Sequence, residues 1–386
     1  MTEIKLPFER AEYARRLDAV RRLMAARGID VLMTSVPENI VYLTGYDSMG
    51  YFTYQVLVIP ADQDMVFLTR KLNVDKVQRT SALRPDRVEG WDDLSSPAEA
   101  TYAVLKKHGL GAKRLANQQD AWFLSVAQYK VITERLGKGD LIDGSGIIEQ
   151  VRRKKVPAEL AYLRRSAKAT IASLQAAIDA TRAGAWDHDI AAEAHKALVA
   201  AGSEYLGHAL QVCSGEEGGL AFETWGRRQI KADDCVYMEM GGTFMRYNTM
   251  LSRTVLVGKP DPKLKTMAEV SRDALAAARA VFKPGATSGQ VDFAAREVIR
   301  KAGLADAFLH RTGYSIGIGY PPDWGEGRLM SLREGDPLVL EPGMVFHLIP
   351  DLKLGGLGGA VFSECLIVTE TGHEVLTPFS YEIVQR

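Results

Sequence analysis

Residues 235–254, CVYMEMGGTFMRYNTMLSRT, decide the fold. Apolar and β-favouring residues run on both sides of Gly241-Gly242, so the stretch is expected to form two strands around that pair. Glu239 then stands on the first strand and Met250, eleven residues later, on the second. A hairpin ending in Arg253-Thr254 usually presents acidic side chains inward from both strands, and here one of the two inward places is the Met250 thioether. The ordinary structural role of Glu239 would be a salt bridge to Arg253 across the hairpin.

Outward from the hairpin, the chain repeats itself. GAWDHDIAAEAHKALVAAG at 184–202 and GATSGQVDFAAREVIRKAG at 285–303 align without a gap, matching Gly184 with Gly285, Ile190 with Val291, Leu198 with Ile299 and Gly202 with Gly303. Each copy follows a long helical stretch, the first expected from Pro157 to about Arg182, where Ala and Leu abound without internal Gly or Pro. Matched glycines at both ends favour a duplicated half-domain over two unrelated amphipathic helices. Two such halves bring their strands together around one central cleft, an α+β arrangement.

Residues 1–150 alternate strand and helix as a smaller α/β domain. A helix is expected over Glu9–Arg27, then strands at Ile29–Met33, Val56–Ile59, Met65–Leu68 and within Leu110–Ala116. Ser96 and Pro97 supply the cap and first position of a helix running to Lys107. Ile147–Val156 connects to the second domain, 151–386, and its basic run Arg152-Arg153-Lys154-Lys155 is expected to be a solvated face.

Lys plus Arg equals Asp plus Glu at 48 each, so no net field favours nucleic acid or an anionic membrane. No apolar run approaches a bilayer span. Cys213, Cys235 and Cys365 lack metal or redox spacing and are expected to be reduced, buried thiols of a cytoplasmic protein. A small-molecule substrate is the expected partner.

Several further motifs lie along the second domain: the GG-Y-(five residues)-RT pattern of the hairpin, HRTGYSIGIG at 310–319, LEPGMVFHLIP at 340–350 and SECLIVTETG at 363–372. Together with the duplicated halves they resemble the creatinase, aminopeptidase P and prolidase superfamily (M24), over essentially the whole chain. The resemblance implies a pita-bread, pseudo-twofold α+β domain behind a smaller creatinase-type α/β domain. Its peptidase members hold two divalent metals on two Asp, a His and two Glu. Those five places map here onto Glu239, Met250, Tyr314, Ile349 and Glu364. A thioether, a phenol and an alkyl group cannot replace three hard donors, so no metal and no cofactor is expected; Glu239, Glu364 and nearby His347 holding a single ion is the competing arrangement.

GYSIGIGYPPDWGEG at 313–327 and FHLIPDL at 346–352 are similar to the metal-independent branch that includes ectoine hydrolase and creatinase. That branch carries a histidine where this chain has Phe222. Ectoine hydrolases resemble LTGYDGWSFYVHQ where residues 43–55 are LTGYDSMGYFTYQ, with Met49 and Tyr54 replacing a tryptophan and a histidine. The resemblance therefore implies a hydrolase of a carbon–nitrogen bond other than a peptide bond, in a cyclic amidine, amidine or amide. Glu239 and Glu364 would face each other, one as nucleophile or general base, with Tyr314 as proton donor. Phe222, Trp225, Tyr247, Met250, Trp324, His347 and Ile349 would line the cleft. In a homodimer Tyr51 and Tyr54 would reach the neighbouring site. A lyase abstracting a proton, and a domain that binds without catalysis, are the alternatives.

Overall fold

The computed structural model describes residues 6–386. The chain forms two compact units, one ending at Arg152 and one running from Arg153 to Arg386. Among the described residues no helix is long and apolar enough to cross a membrane.

The first unit is built on a six-stranded sheet in the order 88–91, 66–70, 56–60, 31–34, 115–117 and 142–143. Strands 31–34, 56–60 and 66–70 at its centre are short and almost wholly buried, as expected where a sheet is covered on both faces. Helix Arg10–Ala26 precedes the first strand, and Ser96 caps helix Pro97–Lys107 by accepting the Glu99 N–H. Tyr54 lies inside this unit, buried, with its hydroxyl 2.8 Å from Thr101 Oγ1. Burial pushes that phenol well up. The expectation of a substrate contact there is corrected: the side chain is a core residue with its polar end satisfied. Tyr51 lies on the short helical turn Met49–Phe52 and meets Phe123 edge-on.

The basic run is not one solvated face. Arg152 is buried and donates to Asn39 Oδ1 at 2.5 Å. Lys155 is buried too, paired with the buried Glu326 at 2.6 Å. Only Arg153 and Lys154 reach outward, both to Glu341.

In the second unit a ten-stranded sheet has the main path 373–375, 364–368, 345–348, 313–320, 247–256, 235–244 and 211–214. The duplication is visible in the backbone. Helices Pro157–Ala180 and Asp187–Ala200 of one half answer to Pro262–Val281 and Ser288–Lys301 of the other. The four matched glycines all adopt left-handed backbone, with φ of 80° and 83° at Gly184 and Gly285 and of 91° and 70° at Gly202 and Gly303. Isolated bridges repeat at matched places, Trp186 with Gln229 and Thr287 with Val339. Glycine is favoured at these sites because a side chain resists that conformation.

The hairpin differs from its expectation in one respect. Its strands are Cys235–Phe244 and Tyr247–Leu256, so Gly241-Gly242 lie inside the first strand and the turn is Met245-Arg246. Both turn residues are left-handed, at φ 49° and 65°, as a two-residue turn between twisted strands needs. Neither is glycine; the strain is offset by the Glu204 carboxylate, which accepts both turn N–H groups. Gly241 and Gly242 serve another purpose. A Cβ on Gly242 would stand 2.7 Å from Ser166 O and from Thr170 Oγ1, so this glycine lets the long helix lie against the sheet.

Candidate active site

Glu239 pairs with Ser252 and Gly241 with Met250 across the hairpin. Side chains two apart on a strand share a face, so Glu239, Gly241 and Met250 look the same way. A Cβ on Gly241 would stand 2.5 Å from Trp324 ring atoms, which shows that the indole occupies the volume this glycine leaves. Gly241→Ala is therefore expected to cost about 1–3 kcal/mol in urea unfolding and to displace Trp324.

Trp324 comes from the strand Asp323–Gly325, which folds back on 313–320. Its indole N–H donates to the Tyr314 hydroxyl oxygen at 3.2 Å, and its ring packs on His208 at 4.8 Å between centroids. Tyr314 pairs in register with His347, and His347 Nδ1 lies 3.1 Å from the phenol oxygen. His347 Nε2 lies 2.7 Å from Ser363 Oγ. Glu239 Oε1 is 3.9 Å from His347 Nδ1. Four side chains thus meet at one place: Glu239, Tyr314, His347 and Trp324.

The electrostatics follow from burial. Burial, joined by the Asp351 carboxylate and opposed by Lys353, pushes the Glu239 carboxyl up to about 8. Its Oε1 is buried and has no hydrogen-bond partner among the described residues. Burial, with His310 nearby, takes His347 down to about 3, so its imidazole is neutral at ordinary pH. Burial and then Glu239 raise the Tyr314 phenol well above its usual value, so it keeps its proton. Asp351 is also raised by burial. Lys353 pairs with it at 3.3 Å and donates to the Tyr237 hydroxyl at 2.6 Å.

Glu364 does not face Glu239. Strand 364–368 pairs Glu364 with Leu348 and Cys365 with His347. Strand alternation therefore turns Glu364 to the opposite face, where it accepts from Arg279 at 3.3 Å and from the Tyr381 hydroxyl at 2.5 Å. Ser363, one residue earlier, is the side chain on the His347 face, its hydroxyl 2.7 Å from His347 Nε2. Arg253 is on the far side as well, bonded to the carbonyls of Ser252, Ser363, Phe379 and Ser380, so it makes no salt bridge with Glu239.

Of the other expected lining residues, Met250 is buried on the Glu239 face and Ile349 packs with Tyr314, Tyr237 and Cys213. Phe222 is 84% exposed on left-handed backbone, a loop residue and not a cleft wall. Trp225 stands edge-on to His195 instead. Tyr247 donates its hydroxyl proton to Glu159 on the long helix. Ser363, Asp351, Lys353 and Tyr237 were missed. Asp351 and Lys353, two apart in the apolar run LIPDLKL, carried the one legible signal.

With Ser363 in place of Glu364, the five positions compared with the peptidase ligands hold one carboxylate, a thioether, a neutral phenol, an alkyl chain and a hydroxyl. These residues do not fit a dinuclear site for hard cations. Among the described residues no group of three or more His, Cys, Asp or Glu is gathered for a metal.

Residues 161–370 match the metallopeptidase family M24, and residues 16–154 match the creatinase/prolidase N-terminal domain. The chain is 28% identical to an ectoine hydrolase from Halomonas elongata, covering 99% of each chain. It is 30% identical to an uncharacterized hydrolase/peptidase from Sinorhizobium fredii, covering 98% of each. The crystal structure of dipeptidase PepE from Mycobacterium ulcerans superimposes with a TM-score of 0.83 at 26% identity, over 98% of this chain and 99% of that one.

Proposed function

From the premise that this chain belongs to metallopeptidase family M24, whose matched relatives are hydrolases, we propose that it is a metal-independent hydrolase of a carbon–nitrogen bond other than a peptide bond. The substrate is a small cationic compound such as a cyclic amidine, and the working pair is Glu239 with Tyr314. The observation that carries this reading is the Glu239 carboxyl, buried, with its Oε1 lacking a hydrogen-bond partner among the described residues. A buried carboxyl of raised pKa is completed by a cation, because the cation's charge restores the ionised form. Binding an amidinium then releases a proton and leaves a carboxylate beside an electrophilic carbon.

Two routes use the same groups. In the first, a Glu239 oxygen adds to the amidine carbon and the C=N electron pair moves to nitrogen. The carbon–nitrogen bond then breaks, with the Tyr314 proton going to the departing nitrogen. Water next adds to the enzyme-bound carbon, returns a proton to Tyr314 and releases Glu239. In the second, Glu239 takes the proton from a water whose oxygen adds to the same carbon, and Tyr314 again protonates nitrogen. An adduct on the Glu239 peptide after acid quench distinguishes them.

A dipeptidase reading is favoured by the fold shared with PepE; the donor set speaks against it. The deciding experiment offers cyclic amidines, guanidino acids and Xaa-Pro dipeptides to the same preparation. Turnover of an amidine and none of the dipeptides is expected; dipeptide cleavage alone sinks the proposal. The pH profile gives a second check. With Glu239 required as carboxylate, kcat/KM is expected to rise by about tenfold per pH unit and level off above about 8. A profile flat from pH 6 to 9 contradicts the role of Glu239.

A further inference from the structure

We infer that Ser363 and His347 act as positioning residues that commit the Tyr314 oxygen to accepting two N–H hydrogen bonds and so leave its proton aimed at the space beside Glu239. The functional use of that proton rests on the reading of Tyr314 as donor; the hydrogen-bond assignment does not.

Ser363 is wholly buried, and its hydroxyl oxygen already accepts the Ser252 backbone N–H at 2.8 Å. Among the described residues its hydroxyl hydrogen has one acceptor within reach, His347 Nε2 at 2.7 Å. If Nε2 carried a proton, the serine would accept twice and its own hydrogen would be buried unmade, the costlier arrangement. Nε2 is therefore the acceptor. A neutral imidazole then carries its hydrogen on Nδ1, which donates to Tyr314 Oη at 3.1 Å.

The indole N–H of Trp324 can only donate, and it does so to the same oxygen. Both lone pairs of the phenol oxygen are then in use. Its proton has to point elsewhere, and Tyr314, unlike Ser363, is not fully buried. The unpartnered Glu239 Oε1 lies 3.9 Å from His347 Nδ1, the same atom that meets the phenol oxygen. A phenol that accepts two N–H donors is a stronger proton donor, since the same two bonds steady the phenolate it leaves. The pair is thus complementary to a ligand that presents a cationic face to Glu239 and, once its carbon has been attacked, an acceptor nitrogen to Tyr314.

The test is the ring tautomer of His347 in the whole protein, read by long-range 15N–1H NMR at pH 7. The chain has seven histidines, so the His347 signal is assigned as the one absent from His347→Gln. The expected result is a neutral ring protonated on Nδ1. A ring protonated on Nε2, or a charged ring, overturns the inference whatever the turnover. Ser363→Ala removes the hydroxyl hydrogen and is expected to shift the tautomer towards Nε2–H; Ser363→Thr keeps the hydroxyl and the Nδ1–H form. In Ser363→Ala, kcat is expected to fall about 10- to 100-fold with KM little changed. An unchanged tautomer in Ser363→Ala overturns the role of Ser363. An Nδ1–H ring in a protein that turns over no amidine sinks the proposed function and leaves the hydrogen-bond assignment standing.

Discussion

Glu239→Gln is expected to lose turnover by at least about 10³-fold while making the protein more stable in alkali. Both effects come from one cause. The amide keeps the shape of the carboxyl but can neither attack a carbon nor take a proton from water. It also carries no charge to desolvate. In the folded chain burial raises the Glu239 pKa from 4.5 to about 8. Between those values the folded state holds a proton that the unfolded state has released, so stability falls as pH rises through the window. Below about 4.5 both states are protonated and the glutamate costs nothing relative to glutamine. Above about 8 the charged carboxylate is buried, at a cost of up to ~5 kcal/mol. Urea unfolding at pH 4 should leave wild type and Glu239→Gln alike, and at pH 9 should put the variant ahead by a few kcal/mol. A variant equally stable at both pH values would show that Glu239 is not buried as described. A stabilised variant that retains turnover would remove Glu239 from the chemistry.

Tyr314→Phe is expected to lower kcat by about 10²–10⁴-fold, the range of a removed general acid. KM should change little, because the phenol gives up its proton in the transition state and not on binding. The structural loss is smaller. The variant leaves the Trp324 and His347 N–H groups without their acceptor, at about 1–3 kcal/mol. Unfolding and steady-state kinetics on one preparation therefore separate the two roles. A large loss of stability with kcat intact would make Tyr314 a core tyrosine after all.

The duplicated half-domain was legible because glycine in left-handed backbone leaves a mark that survives divergence. Gly184, Gly202, Gly285 and Gly303 match in sequence and in φ alike. The hairpin was legible as two strands, but Gly241-Gly242 resembles turn chemistry more closely than Met245-Arg246 does. What the glycine pair marks is close approach by Trp324 on one face and by the long helix on the other. Neither partner is adjacent in sequence. Glu364 illustrates a second limit: a one-residue change of register moves a side chain to the other face of a sheet. SECLIV does not say whether Ser363 or Glu364 shares the His347 face until its pairing with 345–348 is known. Tyr54, Tyr247 and Trp225 had the right chemistry for a binding site but found partners within their own surroundings. Glu239, Tyr314, His347, Trp324, Met250 and Ile349 are where the motifs and the geometry coincide.

Metal independence is the claim from which the roles of Glu239 and Tyr314 follow, and metal removal addresses it most directly. The measurement pairs elemental analysis of the purified protein with turnover of a cyclic amidine before and after exhaustive dialysis against a chelator. The same kcat is expected in both samples, with no stoichiometric metal in either and no gain on adding Mn²⁺, Co²⁺ or Zn²⁺. Loss of turnover on chelation, restored by one of those ions, would contradict it.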